Sequence, residues 1–386
     1  CLNPNIQRSN SFQNNNFNPN INFYHKANSS DINLFMNHNQ NFNNMNNLNI
    51  INNPFPKNDI LKSIVLCLLN CEIITQNLSN FDQGHMSILS SLNYIFKNND
   101  YNFGLSQLKQ NLINVSNNSF NFEEPSNILL SIIVSLDNEI SGNNLNQTQE
   151  LIFYQNPNDK DSMYNEFLDK IFNPSNNTFI SKNFFGIREI MTKCMKCLNL
   201  NYDFEIFKFF EFSVKDVNHF IANKLHRYIK EEKSQNFLEI MNNNSKKIIT
   251  INNCFDYYSN NIGKYNNITC RKCMQKFDDV NGKNVLRKMP NYLFIIIKNT
   301  KDYSVTLKLE ENINLSKISL NEKYELISVI IISKENQNYY TLIKDKDNDN
   351  WKLYLDNNIE TINLSDASKK ELPFLLLYKI KELKYN

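Results

Sequence analysis

The sequence predicts an α+β protein in which helices come first and an antiparallel sheet comes last. Three observations carry that reading. Apolar residues recur at helical spacing over a long early stretch that begins at Ile60. From Phe204 onward the apolar runs become short and rich in Ile, Val, Phe and Tyr, which is strand composition. Between the two regimes lie two Cys-x-x-Cys pairs, Cys194/Cys197 and Cys270/Cys273, each at the tip of what reads as a strand pair. Helices and strands segregated in this way argue against a doubly wound parallel sheet.

The 386 residues suit one large domain with an appendage, or two ordinary domains. A net charge of +2 provides no global basic field, which argues against nucleic acid as a partner. No apolar run reaches the length of a membrane span, and no basic-then-apolar leader opens the chain. The first residue is Cys1 and not methionine, so the chain is expected to be part of a longer protein. Eight cysteines, four of them paired by spacing, fit metal binding in a reducing intracellular compartment, cytoplasm or nucleus, better than a disulfide framework. Asparagine occurs everywhere, even within apolar elements, and is discounted as a loop signal.

Residues 1–53 are Asn-rich, with isolated apolar residues and no periodicity. Such a segment cannot bury enough apolar surface to offset its ordering entropy, and it is expected to be disordered on its own. The stretch beginning at Pro54 is punctuated by proline, and Asn58 or Asp59 is a plausible N-cap for a largely buried helix over 60–69. Cys67 and Cys71 then share a helical face and are read as small core residues before half a metal site. Helices are expected over 86–96, 105–115, 125–136 (with Pro125 in the first turn) and 163–172. Strand runs follow over 204–214, 285–298, 304–309, 324–333, 339–343 and 374–379, with short helices over 219–230 and 254–258.

Four thiolates on two turns suit the tetrahedral geometry of a structural zinc, with Zn–S bonds of about 2.3 Å. Lysine or arginine stands inside both pairs (Lys196, Arg271 and Lys272), where positive charge favours the thiolate. Residues 198–269 separate the pairs, too long a gap for a compact ribbon, so a larger fold must bring them together.

In this order the segments resemble the catalytic domain of ubiquitin-specific proteases. Phe184-Phe-Gly-Ile-Arg-Glu-Ile-Met-Thr-Lys-Cys-Met-Lys-Cys197 looks like the family's entry into its first zinc knuckle. Ile251-Asn-Asn-Cys-Phe-Asp-Tyr-Tyr258 and Tyr265-Asn-Asn-Ile-Thr-Cys-Arg-Lys-Cys273 look like its short helix and second knuckle. Lys288-Met-Pro-Asn-Tyr-Leu is similar to the strand that follows, and Tyr324 to Ile332, Trp351 and Leu375 to Tyr378 to the closing sheet. Ser63-Ile-Val-Leu-Cys-Leu-Leu-Asn70 is similar to the helix that carries the family's nucleophile. The resemblance covers roughly 54–386. It implies a papain-like hand with a helical thumb over about 54–180, fingers over about 184–290 and a palm over about 291–386. It also implies structural Zn2+ on Cys194, Cys197, Cys270 and Cys273, and ubiquitin or a ubiquitin-like protein as a partner, alongside other protein subunits and no membrane.

Carried over residue by residue, the family's chemistry is missing. Its nucleophilic cysteine falls on Asp59, which is acceptor-only when ionised. Its histidine base falls on Tyr339, a poor base at neutral pH. Its third member falls on Leu355, with Asp356 one step on, and its oxyanion-stabilising asparagine falls on Pro54, which has neither an amide side chain nor a backbone N–H. Sliding the register makes Cys67 the first residue of a Cys-x-x-Asn, but buries that thiol in mid-helix. Independently of register, the histidines are His25, His38, His85, His219 and His226, so none follows residue 226. The expectation is a pseudo-deubiquitinase that acts as a binding scaffold. The alternatives are an active thiol hydrolase with non-standard residues and a purely structural zinc-stabilised subunit.

Overall fold

A computed structural model describes residues 60–78, 87–116, 120–142, 159–172, 177–232, 247–298, 305–316, 322–333, 338–346, 348–355, 358–370 and 372–381. The expected disordered tail, Pro54, the N-cap at Asn58 or Asp59, and Asp356 lie outside these residues.

The helical part opens with α1 (Ile60–Leu69) and α2 (Glu72–Leu78), bent by 85° at the break between them. Cys71 lies in that break, not on α1 as the spacing suggests; its thiol donates to the Cys67 carbonyl at 3.6 Å. The helices α3 (Ile88–Asn98) and α4 (Tyr101–Val115) start where short polar side chains satisfy free amides. Ser87 forms a reciprocal capping box with Ser90, and Asp100 accepts from the Phe103 amide. The next helix, α5 (Pro125–Ser141), has proline in its first turn and Gly142 at φ 64 after its last, the usual asymmetry of a helix start and stop. Two shorter ones follow, α6 (Lys160–Ile171) and α7 (Phe179–Phe184). Among the described residues no single helix is long and apolar enough to cross a membrane. The bent α1–α2 pair passes by length and composition only, and α1 is buried in the core.

The strands form two principal sheets. A four-stranded sheet, hereafter the fingers, has the order β2 (Leu200–Phe207), β1 (Gly186–Lys193), β8 (Val280–Lys288), β5 (Ile262–Tyr265) and is antiparallel throughout. Rings lie over its glycines: Phe207 covers Gly186, and Tyr265 lies across Gly263 and Gly282, where a Cβ would meet ring atoms at 2.9 Å or closer. The larger sheet, the palm, runs β15 (Asn358–Ile362), β14 (Trp351–Leu355), β13 (Tyr339–Lys344), β12 (Lys323–Ile332), β16 (Leu372–Ile380), β9 (Tyr292–Lys298), β3 (Phe209–Ser213), with β11 (Asn312–Asn314) also paired to β12. The 204–214 run that reads as one strand is therefore two. The chain leaves the fingers after Phe207, turns at Lys208, and enters the palm as β3, parallel to β9. Likewise 285–298 divides at Met289-Pro290, because proline cannot donate to a ladder.

Strand alternation gives the palm two apolar faces. Phe209, Phe294, Ile296, Ile330, Leu375 and Leu377 join the core formed by α1 to α5 and α7. Their neighbours Phe210, Leu293, Ile295, Ile297, Val329, Ile331 and Leu376 point the other way. That second core is closed by α8 (Val214–Glu232) and α9 (Ile251–Asn260), the latter started by a capping box of Thr250 and Asn253. The parallel pair β4 (Lys247–Ile249) and β10 (Val305–Leu307), together with α10 (Leu364–Lys370), completes it. A two-stranded ribbon, β6 (Ile268–Thr269) and β7 (Lys276–Phe277), carries the second Cys-x-x-Cys. The short strands β4, β5, β11 and β15 escaped the sequence reading, each being only three to five residues long, whereas Trp351 opens β14 in the larger sheet as the resemblance implied.

Candidate functional site

The two cysteine pairs meet at the free end of the fingers. Cys194 follows β1 directly, and Cys270 follows β6. The two turns repeat the same backbone. The Cys194 amide donates to the Asn199 carbonyl at 2.8 Å, and the Cys270 amide to the Gln275 carbonyl at 2.9 Å. The Leu198 amide donates to the Cys194 carbonyl and the Met274 amide to the Cys270 carbonyl, and both residues take positive φ, 59° and 56°. Each turn thus aims two sulfurs at one point. Cys194 Sγ lies 3.7 Å from Cys273 Sγ and Cys197 Sγ 3.5 Å from Cys270 Sγ, and all four sulfurs lie within 4.8 Å of one another.

Those spacings fit a metal and not a disulfide. A tetrahedron with arms of about 2.3 Å has edges of about 3.8 Å, whereas bonded sulfurs are about 2.05 Å apart. The local field favours the thiolate at two of the four sulfurs. Desolvation works against it, yet the amide hydrogens of Cys197 and Lys196 draw the Cys194 thiol down to about 6. The Cys273 and Lys272 amides similarly lower Cys270 against its desolvation. At Cys197 the Asn199 amide favours the thiolate too, but burial and hydrogen bonds with the neighbouring sulfurs push that thiol up to about 11. Four close cysteines of this kind can hold one metal ion. The other described cysteines cannot join them: Cys67, Cys71 and Cys254 are buried in the two cores, away from the knuckles.

A second locus lies at the end of the palm nearest the start of α1. Lys62, in the first turn of α1, has Nζ 5.8 Å from the Tyr101 ring centroid. Burial first, and the nearby Tyr354 second, push the Tyr101 hydroxyl up. Tyr354 pairs across with Thr341, two residues along β13 from Tyr339, so Tyr354 and Tyr339 share a face of the sheet. The Tyr339 ring meets Phe374 edge-on, 5.6 Å between centroids at 67°. Phe374 is the extra residue of a bulge in β16, since Ile330 pairs with Leu375 and Ile331 with Pro373. The first turn of α1, the start of β13 and the end of β14 therefore converge, and the surface between them is aromatic.

Of the residues expected there, Tyr339 occupies the locus and its hydroxyl is pushed up by burial. Leu355 does not face it: its side chain packs into the second core, on the far side of the sheet. Asp59, Asp356 and Pro54 fall outside the described residues. Cys67 is fully buried in mid-helix, and desolvation pushes its thiol up to about 12, leaving no thiolate at neutral pH. His219 rides on α8, which packs on the palm face opposite α1. Sequence reasoning missed Tyr101, Tyr354 and Phe374, because segments far apart in the chain carry no signal that they will meet. The mirrored knuckles were within reach, for Cys-x-x-Cys-Leu-Asn and Cys-x-x-Cys-Met-Gln repeat the same pattern.

No protein family model matches the chain, and no curated protein matches it in sequence. Solved structures do match it. The yeast SAGA DUB module with a variant Sgf73 superimposes with a TM-score of 0.55 at 16% identity, over 84% of this chain and 67% of that one. A SAGA Ubp8/Sgf11/Sus1/Sgf73 DUB module gives 0.56 at 16% identity, over 89% and 70%. The same type of module bound to monoubiquitin gives 0.52 at 13% identity, over 84% and 67%. The chain has the α+β fold of a ubiquitin-specific protease domain.

Proposed function

We propose that this chain is a pseudo-deubiquitinase: a ubiquitin-specific-protease fold that has lost its thiol chemistry and acts as a ubiquitin- or protein-binding scaffold. Tyr339 carries the reading. It stands where the resemblance puts the general base, and its ring is packed on Phe374. A phenol whose hydroxyl is pushed up by burial cannot take a proton from a nucleophile at neutral pH. Asp59 at the nucleophile position, Pro54 at the oxyanion position and the absence of histidine after residue 226 support it. Leu355, turned into the second core, leaves the third position to Asp356.

A hidden nucleophile is disfavoured by the burial of Cys67 and its raised thiol pKa. Zinc is the metal the four thiols suit best, and holding the two knuckles together is its role. The likeness to modules that work with several subunits and with ubiquitin supports protein partners of both kinds. A domain organisation of tail (1–53), thumb (about 54–180), fingers (about 184–290) and palm (about 291–386) goes with this reading, as does an intracellular setting in which the thiols stay reduced. The test is turnover of a fluorogenic ubiquitin substrate beside a ubiquitin-chain pull-down. No turnover with chain capture is expected; turnover abolished by thiol blocking would overturn the reading. Absence of both activities would instead favour the purely structural subunit.

A further inference from the structure

The free end of the fingers carries apolar side chains in solvent. Met195, Leu198 and Met274 are 70%, 63% and 72% exposed, and Leu200 is 44% exposed. All four stand in or beside the two cysteine turns. Two of them occupy costly positions: Leu198 and Met274 have positive φ at the same point of each knuckle. Glycine or asparagine would adopt that backbone with less strain and no apolar exposure. A turn that only held metal would have no use for leucine and methionine there, whereas a surface that presents apolar groups would. Lysines crowd the same two turns, while the acidic side chains of this end, Asp203, Asp278 and Asp279, stand outside the turns. Lys193, Lys196, Lys272 and Lys276 are exposed, Arg271 pairs with Asp203, and Lys193, Lys196 and Lys272 meet no carboxylate among the described residues.

We propose that this tip docks an acidic segment of a partner protein, whose apolar side chains cover Met195, Leu198 and Met274 while its carboxylates meet Lys193, Lys196 and Lys272. Methionine adapts to irregular apolar partners, which suits a peptide surface. The exposed apolar groups at the tip are aliphatic or thioether, not the aromatic rings on which nucleic-acid bases stack. The surface lies at the far end of the fingers from Tyr339, and the inference does not rest on the loss of hydrolysis.

The experiment uses the full chain with its metal and a fluorescently labelled helical peptide, leucine at i, i+3, i+4 and i+7 and glutamate elsewhere. Saturable anisotropy is expected, weakening as salt rises. Leu198→Asn combined with Met274→Asn should weaken binding by about tenfold or more, as expected for removing central anchors. Because asparagine tolerates positive φ, that pair should keep or raise the melting temperature, which separates lost docking from lost folding. Lys196→Glu with Lys272→Glu should weaken binding and flatten its salt dependence. The proposal is overturned if the peptide does not bind, or if the asparagine pair binds it unchanged. Tighter binding of a DNA duplex or of monoubiquitin to these same residues overturns it too, and assigns the tip to that ligand.

Discussion

Tyr339 and Phe374 meet edge-on, 5.6 Å apart, because a bulge in β16 pushes Phe374 out of the ladder toward the start of β13. The contact is a packing interaction that holds the Tyr339 ring at the start of β13. Tyr339 is half-buried, and its hydroxyl makes no hydrogen bond among the described residues.

Tyr339→Phe should therefore change stability by less than about 0.5 kcal/mol, while Tyr339→Ala should cost about 1–2 kcal/mol, below the figure for a fully buried aromatic. Urea unfolding of the two variants measures this. Tyr339→His should restore no turnover of a fluorogenic ubiquitin substrate, alone or with Asp59→Cys, because Pro54 offers no oxyanion donor.

Elemental analysis should find one zinc per chain. Cys194→Ser, or a strong chelator, should remove it and lower the melting temperature, with the loss of amide-exchange protection greatest in β1, β2 and β8. Metal-free protein with undiminished protection in those strands would contradict a structural role.

Alkylation should separate two classes of thiol. Cys67, Cys71 and Cys254, at most 2% exposed, should resist iodoacetamide until the protein unfolds. Cys197 and Cys273, partly exposed at the tip, should be protected by metal and become reactive once it is chelated. Modification of Cys67 in the native protein would revive it as a nucleophile.

Glu72, at the start of α2, is held below the usual carboxylate range, first by a hydrogen bond from Lys379 and then by one from Lys346. A carboxylate with a lowered pKa in the folded state stabilises above its unfolded value of about 4.5 and loses that contribution as pH falls through the folded pKa. Thermal melts from pH 6 to pH 3 should thus steepen for the native chain and flatten for Glu72→Gln. At neutral pH the variant should cost less than about 1 kcal/mol, since the pair is solvent-exposed.

Features set by local chemistry were legible in the sequence. Pro125 marked the start of α5, and the second Cys-x-x-Cys predicted its own meeting with the first. The apolar run 60–69 formed the expected helix, although Cys71 fell in the break after it. Features set by the sheet were not. The run from Phe204 to Val214 keeps strand composition throughout, so nothing in it announces that Lys208 passes the chain from fingers to palm. Leu355 shows the same limit at the candidate site. Its position was counted along the chain, but the face it presents was decided by the register of β14 on β13, which depends on pairing and not on composition.

The fingers also form a cantilever. Strands β1, β2 and β8 run from the palm end, β5 pairs only with the outer half of β8, and the sulfurs sit at the tip, beyond the last residue of β1. The eight-residue β1 spans about 26 Å, so a rotation of about 10° at its root carries the tip through about 4–5 Å. Lys208 and Met289-Pro290, where two of the strands leave for the palm, lie at the fulcrum. The distance from the knuckles to α5 thus amplifies small motions at the root, and a pair of spin labels at Lys196 and Asn138 would read that motion directly.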